Sequence, residues 1–188
     1  MTAANPSMET VLKTLSLIAV SIIAIGSDFA RASDLEFSAF PAQGLFRGKA
    51  QMPDFNGQAR DFAPFQTRVT DAIKSGVAFA GEYSVAQFGC GTGCSTVILA
   101  NNRTGQVYDF PRGGEFNQAL TLEFKPNSKL MLARWYTDSL WETCVLEAFL
   151  FEDGRWIAKE ALAAKTEEAC TEEACTEEVS NGLARSKE

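Results

Sequence analysis

The stretch FAGEYSVAQFGCGTGCSTVILA, residues Phe79–Ala100, decides the fold of this chain. Its first half alternates with a period of two, which is typical of a β-strand. Its second half, CSTVILA, is apolar and β-branched, which also predicts a strand. The short glycine-rich GCGTGC between the two predicts a tight loop, so the strands should pair as an antiparallel hairpin.

Short turns separate further predicted strands along the chain. QVYDF, LTLEF, KLMLARWY, TCVLEAFLF and RWIAKEAL have strand composition, and NNRTG, PRGG, KPNS and EDG have turn composition. Upstream, apolar residues at i, i+4, i+7 and i+8 predict a helix over Phe65–Lys74. The predicted fold class is α+β: a single domain in which one amphipathic helix covers an antiparallel meander sheet running from about Phe79 to Leu162.

Composition divides the chain into three segments. Residues 1–32 predict a secretory signal peptide, because Lys13 precedes an apolar run of about a dozen residues and ARA ends at Ala32. Translation could begin at Met1 or at Met8. Residues 33–162 are the predicted α+β domain. Residues 163–188 repeat TEEAC and predict a disordered acidic tail. The protein is therefore expected to be periplasmic or secreted, with no membrane span after signal cleavage.

Composition also narrows the possible chemistry. The 188 residues carry a net charge of −7 and include no histidine. Without histidine the chain lacks the usual general base and the commonest metal ligand, so we expect no cofactor and no metal. The acidic balance and the lack of a basic stripe argue against a nucleic-acid partner.

The GCGTGC loop, Gly89–Cys94, is open to four interpretations. A phosphate loop is disfavoured because a strand, not a helix, follows it. A metal site lacks a fourth ligand. A thiol oxidoreductase usually has two residues between its cysteines and a helix after the first. The remaining interpretation is a disulfide between Cys90 and Cys94, because the ends of neighbouring antiparallel strands lie within disulfide range.

Three further cysteines complete the set of five. Cys144 lies in an apolar run and is predicted to be a small buried residue, with pairing to Cys90 or Cys94 as the alternative. Cys170 and Cys175 lie in the tail, where they could pair with each other. An odd number of cysteines leaves one thiol free or bonded to another chain.

The residues around the hairpin resemble a family of uncharacterised exported bacterial proteins. The likeness rests on FAG at Phe79–Gly81, on Tyr83 and Val85, on GCGTGC, and on TGQVY at Thr104–Tyr108. It continues through Phe124, Pro126, Ser128 and Leu130, and it covers roughly Phe65–Trp156. Glu82 stands where the family more often has histidine. The resemblance implies export and the order of helix and strands, but no activity.

A more distant resemblance is to the periplasmic inhibitor of vertebrate lysozyme, an exported α+β protein. That family has a disulfide-closed C-x-x-x-C loop between strands and inserts it into its target enzyme. The resemblance implies that Cys90 and Cys94 close an equivalent loop here. The intervening Gly91, Thr92 and Gly93 lack the charged groups of the inhibitor's loop.

Two functions follow from these observations. The first is a small non-enzymatic binding protein, with inhibitor-like action as one form, that has an unknown protein partner in the periplasm or outside the cell. Its predicted binding residues are Gly91, Thr92, Gly93, Arg112, Tyr136 and Trp141. The alternative is a cell-envelope enzyme that uses either a thiol or a pair of carboxylates, with Glu82, Asp109, Glu115 and Asp138 as candidates.

Overall fold

The computed structural model describes residues 37–164. A 3₁₀ helix at Arg60–Phe65 leads directly into an α-helix, α1, at Gln66–Ser75. Seven strands follow it: β1 Tyr83–Gly91, β2 Cys94–Asn101, β3 Val107–Asp109, β4 Gln118–Phe124, β5 Leu130–Tyr136, β6 Cys144–Glu152 and β7 Arg155–Ala164. Every strand predicted between Phe79 and Leu162 is present, and the class is α+β with antiparallel strands.

The strands form two sheets, whereas the sequence predicted one. The first sheet has the order β1-β2-β3, and the second has the order β4-β5-β6-β7. The division falls at PRGG, Pro111–Gly114, where proline has no N–H to donate and two glycines adopt positive φ. An isolated bridge between Ser95 and Gly114 is the remnant of pairing across this break. The meander is thus interrupted because its backbone cannot continue the ladder there.

The hairpin between β6 and β7 shows how local turn chemistry sets register. Glu152 pairs with Arg155, so Asp153 and Gly154 form a two-residue turn. Both turn residues have positive φ, 50° and 75°, which is the backbone of a type I′ turn and the reason Asp-Gly is favoured there. The sequence predicted a turn at EDG between two strands, and the structure confirms it.

The two faces of the first sheet pack against different partners. On one face Ala86, Ile98 and Ala100 contact Val69 and Ile73 of α1. The opposite face turns toward the second sheet. Both faces of the first sheet are therefore covered. Alternate side chains of β1 point to two different apolar neighbours, α1 on one face and the second sheet on the other, and not to a core and to solvent.

A core between the sheets joins them. Its buried members include Val97 and Leu99 of β2, Met131 and Trp135 of β5, and Phe149 of β6. Phe79, which is fully buried just before β1, contacts the second sheet through rings of Phe124, Phe151 and Trp156. Burial of this aromatic cluster contributes to holding the sheets together.

The helix begins one residue later than predicted. Asp61 lies in the first turn of the 3₁₀ helix, and no side chain caps either helical segment. The helix also ends one residue later than predicted, at Ser75: Gly76, with φ of 98°, follows it and its N–H donates to the Ile73 carbonyl at 3.1 Å.

An irregular segment over residues 41–59, rich in glycine and proline, lies across the turns of both sheets. Its backbone bonds to three separate turns: Ala42 N–H to Asn127, Phe46 N–H to Gly81, and Gln51 N–H to Asn102, at 2.9, 2.7 and 2.9 Å. These three hydrogen bonds tie the segment to turns of both sheets.

Gly81, in the turn before β1, lies close against this segment. Its φ is 82°, and a Cβ at this position would collide with the Gly44 carbonyl oxygen. We expect Gly81→Ala to destabilise the fold by roughly 2–4 kcal/mol, because strain and a backbone clash act together. Gly76→Ala is the matched control: Gly76 also has positive φ, but nothing lies within 4 Å, so it should cost only about 1 kcal/mol. Urea unfolding measures both, and equal costs would contradict the close approach.

Within residues 37–164, no helix is both long enough and apolar enough to span a membrane. The predicted signal peptide, 1–32, lies outside the described residues, as does the predicted tail beyond Ala164.

Candidate functional site

The GCGTGC loop is a disulfide-closed hairpin tip. Cys90 and Cys94 are bonded, with Cα atoms 5.1 Å apart. β1 runs one residue past Cys90, and Gly91 pairs with Cys94, so Thr92 and Gly93 form the turn. Gly93 has a φ of 70°, which favours glycine. The predicted disulfide is confirmed, and Cys144 is accordingly not bonded to either of these cysteines.

The tip is held against the second sheet at the start of β4. The Ala119 N–H donates to the Gly93 carbonyl at 2.8 Å. The neighbouring Gln118 donates from Nε2 to the Glu115 carbonyl at 3.1 Å and pairs with Tyr136 of β5. A β-bulge follows Gln118, a feature that often re-aims side chains near functional sites. Gln118 therefore connects three loops: the tip, the loop before β4 and the loop after β5.

The loop after β5 is built around Asp138. Its carboxylate accepts the backbone N–H groups of Leu140, Glu142 and Thr143 at 2.9, 3.1 and 3.2 Å. The backbone N–H of Glu142, followed by those of Thr143 and Leu140, holds the pKa of Asp138 below its usual value. This carboxylate therefore organises a loop.

The same loop holds Trp141 in an unusual conformation. Its φ is 60°, rare for a bulky side chain. The indole stacks on Tyr136, with ring centroids 5.7 Å apart and planes 24° apart, and 52% of the residue stays exposed. Backbone strain of this kind is found most often at active sites and ligand-binding sites.

Arg112, which is partly exposed, forms an ion pair with the buried Glu147. Its Nε and Nη2 donate to the two oxygens of Glu147 at 2.8 and 2.9 Å, and its Nη1 donates to the Pro111 carbonyl at 3.0 Å. The guanidinium also lies over the rings of Trp135 and Phe149, 5.2 and 5.3 Å from their centres. Every guanidinium nitrogen thus has an acceptor within the protein. The side chain of Arg112 therefore links its own loop to β6, which gives it a positioning role.

Three large apolar side chains are exposed on the loops that Gln118 connects. Phe116 is 88% exposed, Leu140 is 76% exposed, and Trp141 is the third. We call these residues, together with the turn at Thr92 and Gly93, the tip surface. Sequence reasoning included Trp141, Thr92 and Gly93 but missed Phe116 and Leu140. The available signal was an apolar residue inside an otherwise polar turn: GGEFNQ and TDSLWE.

A polar cleft of about 820 Å³ lies elsewhere, lined by residues of three turns. Its walls include Glu82, Tyr83, Arg103, Tyr108 and Asp153. Arg103 Nε pairs with Glu82 at 2.7 Å, and the Tyr108 hydroxyl donates to Gln106 at 2.9 Å. Burial raises the pKa of Tyr83 to about 12 and also raises that of Tyr108, so both phenols are neutral near pH 7.

The candidate catalytic carboxylates do not come together in this cleft. Glu82 lines it, but Asp109, Glu115 and Asp138 do not. Burial raises the pKa of Asp109 and of Glu147, and neither residue is among those lining the cleft. Within residues 37–164, no three histidine, cysteine, aspartate or glutamate side chains cluster as a metal site.

The Asp138 loop gives a direct test of its organisation. Asp138→Ala should increase amide hydrogen exchange at residues 140–143 with little effect on the unfolding midpoint, because the lost acceptors serve only this loop. Because the folded pKa of Asp138 is lowered, its contribution is complete above pH 3.8 and is lost as pH falls through the folded pKa. Hydrogen exchange with mass spectrometry should show both effects. Unchanged exchange in the variant would contradict the role assigned to Asp138.

Comparison with known proteins yields no relative: no family model matches the chain, no curated protein matches its sequence, and no solved structure matches its fold. The resemblances noted in the sequence therefore stay predictions, and function has to be inferred from the surface and its chemistry.

Proposed function

We propose that this is an exported, non-enzymatic protein that binds a protein partner through the tip surface. The observation that carries the proposal is the exposure of Phe116, Leu140 and Trp141 on two loops that adjoin the paired residues Gln118 and Tyr136, next to the attachment of the disulfide-closed turn at Ala119. Exposed apolar groups that gather at one place on a protein favour contact with another macromolecule. Aromatic anchors at the centre of such a contact usually supply most of its binding energy.

The tip surface is also preorganised. The Cys90–Cys94 bond closes the hairpin, the Gly93–Ala119 hydrogen bond fixes the tip to the second sheet, and Asp138 fixes the Trp141 loop. A loop that is rigid before binding loses less entropy when it binds. Arg112 enters the proposal as a positioning residue, and Tyr136 as the support for the Trp141 ring.

One sequence feature and one structural feature support the proposal that the protein is exported. The sequence predicts a signal peptide over 1–32, and the Cys90–Cys94 disulfide is compatible with an extracytoplasmic location because such compartments are oxidising. We place the mature protein in the periplasm or outside the cell, with its N-terminus near Ser33. Intact mass of the exported protein tests this placement, and a product that retains residues 1–32 would contradict it.

We further propose that the two sheets and α1 fold together as one domain, with the helix as the cover of the first sheet. Support comes from the contacts of Val69 and Ile73 with that sheet and from the apolar core between the sheets. A single core shared by both sheets favours one cooperative unit.

Matched triple variants test the binding proposal. The mature protein serves as bait in periplasmic extract and culture fluid, beside the variant Phe116→Ser, Leu140→Ser, Trp141→Ser. The control variant replaces three exposed apolar residues outside the tip surface, Leu45, Met52 and Ile157, with serine. A partner should be captured by the wild type and by the control, and its affinity for the tip variant should fall by about 30-fold or more. Equal capture by all three proteins would contradict the proposal.

Removing the Cys90–Cys94 disulfide should affect both the stability of the fold and partner binding, and the two effects can be measured separately. Cys90→Ser with Cys94→Ser should cost only about 2 kcal/mol or less of unfolding free energy, because the closed loop is very short. The same change should weaken partner binding by roughly 10-fold, because the loop must be ordered on binding. Unfolding titrations and binding isotherms on the same samples measure the two effects. Unchanged affinity would show that the disulfide does not contribute to partner binding.

The thiol-enzyme alternative has its own assay. Turnover of the wild type in insulin reduction would favour that alternative.

A further inference from the structure

The second sheet has a buried face directed away from the first sheet. We call it the outer face. It consists of side chains from β5 and β6 that are each less than a tenth exposed: Leu130, Leu132, Cys144, Leu146, Ala148 and Leu150. Among the described residues, the apolar groups that pack on it are Phe37, Phe40 and Tyr136. Three aromatic rings are a small cover for six buried side chains on two strands.

Cys144 lies at one end of this outer face. It is fully buried and disulfide-bonded. Its partner is neither Cys90 nor Cys94, because those two are bonded to each other. The chain has five cysteines, and the two that remain are Cys170 and Cys175. We propose that Cys144 is bonded to one of these two cysteines, and that the segment 165–188 docks on the outer face beside it.

The register of the second sheet makes this bond reachable. Cys144 is the pairing partner of Ala164, the last residue of β7. Cys170 follows Ala164 by six residues and Cys175 by eleven, which allows roughly 20 Å or more of extended chain. A disulfide needs Cα atoms only about 4.4–6.8 Å apart. A chain that turns back after β7 can therefore place either cysteine against Cys144.

The bond forms by a balanced two-electron oxidation. The Cys144 thiol and one tail thiol each lose a proton, and their sulfurs join. The two electrons and two protons pass to a disulfide oxidant, such as glutathione disulfide, which is reduced to two thiols. Such oxidants are present in the compartments to which the signal peptide directs a protein.

This assignment changes the part that the C-terminal segment takes in the fold. The TEEAC repeats were expected to be a disordered appendage, and the proposal instead anchors them to the domain. It also leaves one free thiol per chain, on the tail cysteine that is not bonded to Cys144. Neither consequence depends on the tip surface or on its partner.

Peptide mapping of the full exported chain tests the proposal. The protein is alkylated in denaturant without reduction and then digested with trypsin. The expected product joins peptide 135–155, which contains Cys144, to peptide 166–185, which contains both tail cysteines. One tail cysteine should carry the alkyl label. A tail peptide with an internal Cys170–Cys175 bond would overturn the proposal, and so would an alkylated Cys144 or two copies of peptide 135–155 bonded together.

Tail variants test docking without altering the buried face. Cys170→Ser with Cys175→Ser should lower the melting temperature by about 10 °C, because a closed loop of some 26 residues is opened and the tail is released. One of the two single variants should behave like the wild type, or both should if the cysteines substitute for each other. The control is the same comparison under a reductant strong enough to open every disulfide: the wild type and the double variant should then melt at the same temperature, because the Cys90–Cys94 bond is open in both. A double variant as stable as the oxidised wild type would overturn docking.

Discussion

Replacing Arg112 with methionine should destabilise the protein by about 3–5 kcal/mol at pH 7.5, although the residue lies in a loop. Glu147 is only 3% exposed, and removing its partner leaves a buried charge without compensation. Methionine keeps an apolar side chain over the rings of Trp135 and Phe149. The lost stability therefore measures mainly the removal of the Arg112 charge from Glu147. The free energy of unfolding in urea is the measurement.

Two features make this expectation specific to the ion pair. Burial raises the pKa of Glu147, while Arg112 opposes that rise. The variant should therefore raise the pKa of Glu147 further, and its deficit should shrink as pH falls from 7.5 toward 5, because the protonated acid no longer carries a buried charge. The double variant Arg112→Met, Glu147→Leu should recover most of the loss. A pH-independent deficit, or no recovery in the double variant, would contradict the role of the pair.

Phe79→Ala should cost a similar amount, about 3–5 kcal/mol, because a fully buried ring is removed from the core between the sheets. Phe79 precedes β1 in the chain, yet its ring contacts belong to β4, β6 and β7. The loss should therefore lower the stability of both sheets together. Phe79→Leu is the milder control, with an expected cost of about 1–2 kcal/mol.

Cooperativity is the sharper readout of this variant. Unfolding followed by far-ultraviolet circular dichroism and by tryptophan fluorescence should give one coincident transition in both the wild type and Phe79→Ala. Two separate transitions would show that the sheets fold independently, and the proposal of one domain would then be wrong.

Local signals in the sequence predicted the elements well. Alternation and β-branched composition located the strands, and Asp153-Gly154 located the last hairpin, because these signals depend on residues close in the chain. The Cys90–Cys94 bond was predictable for the same reason: the spacing and the flanking strands are local.

Non-local packing accounts for what the sequence did not reveal. The division into two sheets depends on Pro111–Gly114 failing to continue a ladder, and a turn with the same composition could equally have joined neighbouring strands. The Arg112–Glu147 pair spans 35 residues, so no local pattern contains it. One signal was available: a glutamate inside the apolar run TCVLEAFLF requires a buried partner.

The tip surface illustrates the same limit in a functional setting. Phe116 and Leu140 are apolar residues in turn sequences, and only the pairing of Gln118 with Tyr136 shows that their loops lie on neighbouring strands. Their exposure could not be predicted, because an apolar residue in a turn can equally fold back onto the core.

Site-specific photo-crosslinking tests most directly whether the tip surface contacts a partner. A benzophenone amino acid replaces Trp141 in one variant and Ile157, which is exposed outside the tip surface, in another. After export, ultraviolet light should join the variant at position 141 to one discrete protein, and the variant at position 157 should give no such product. A product at position 157 alone, or equal products at both positions, would contradict the claim that the tip surface is the binding site.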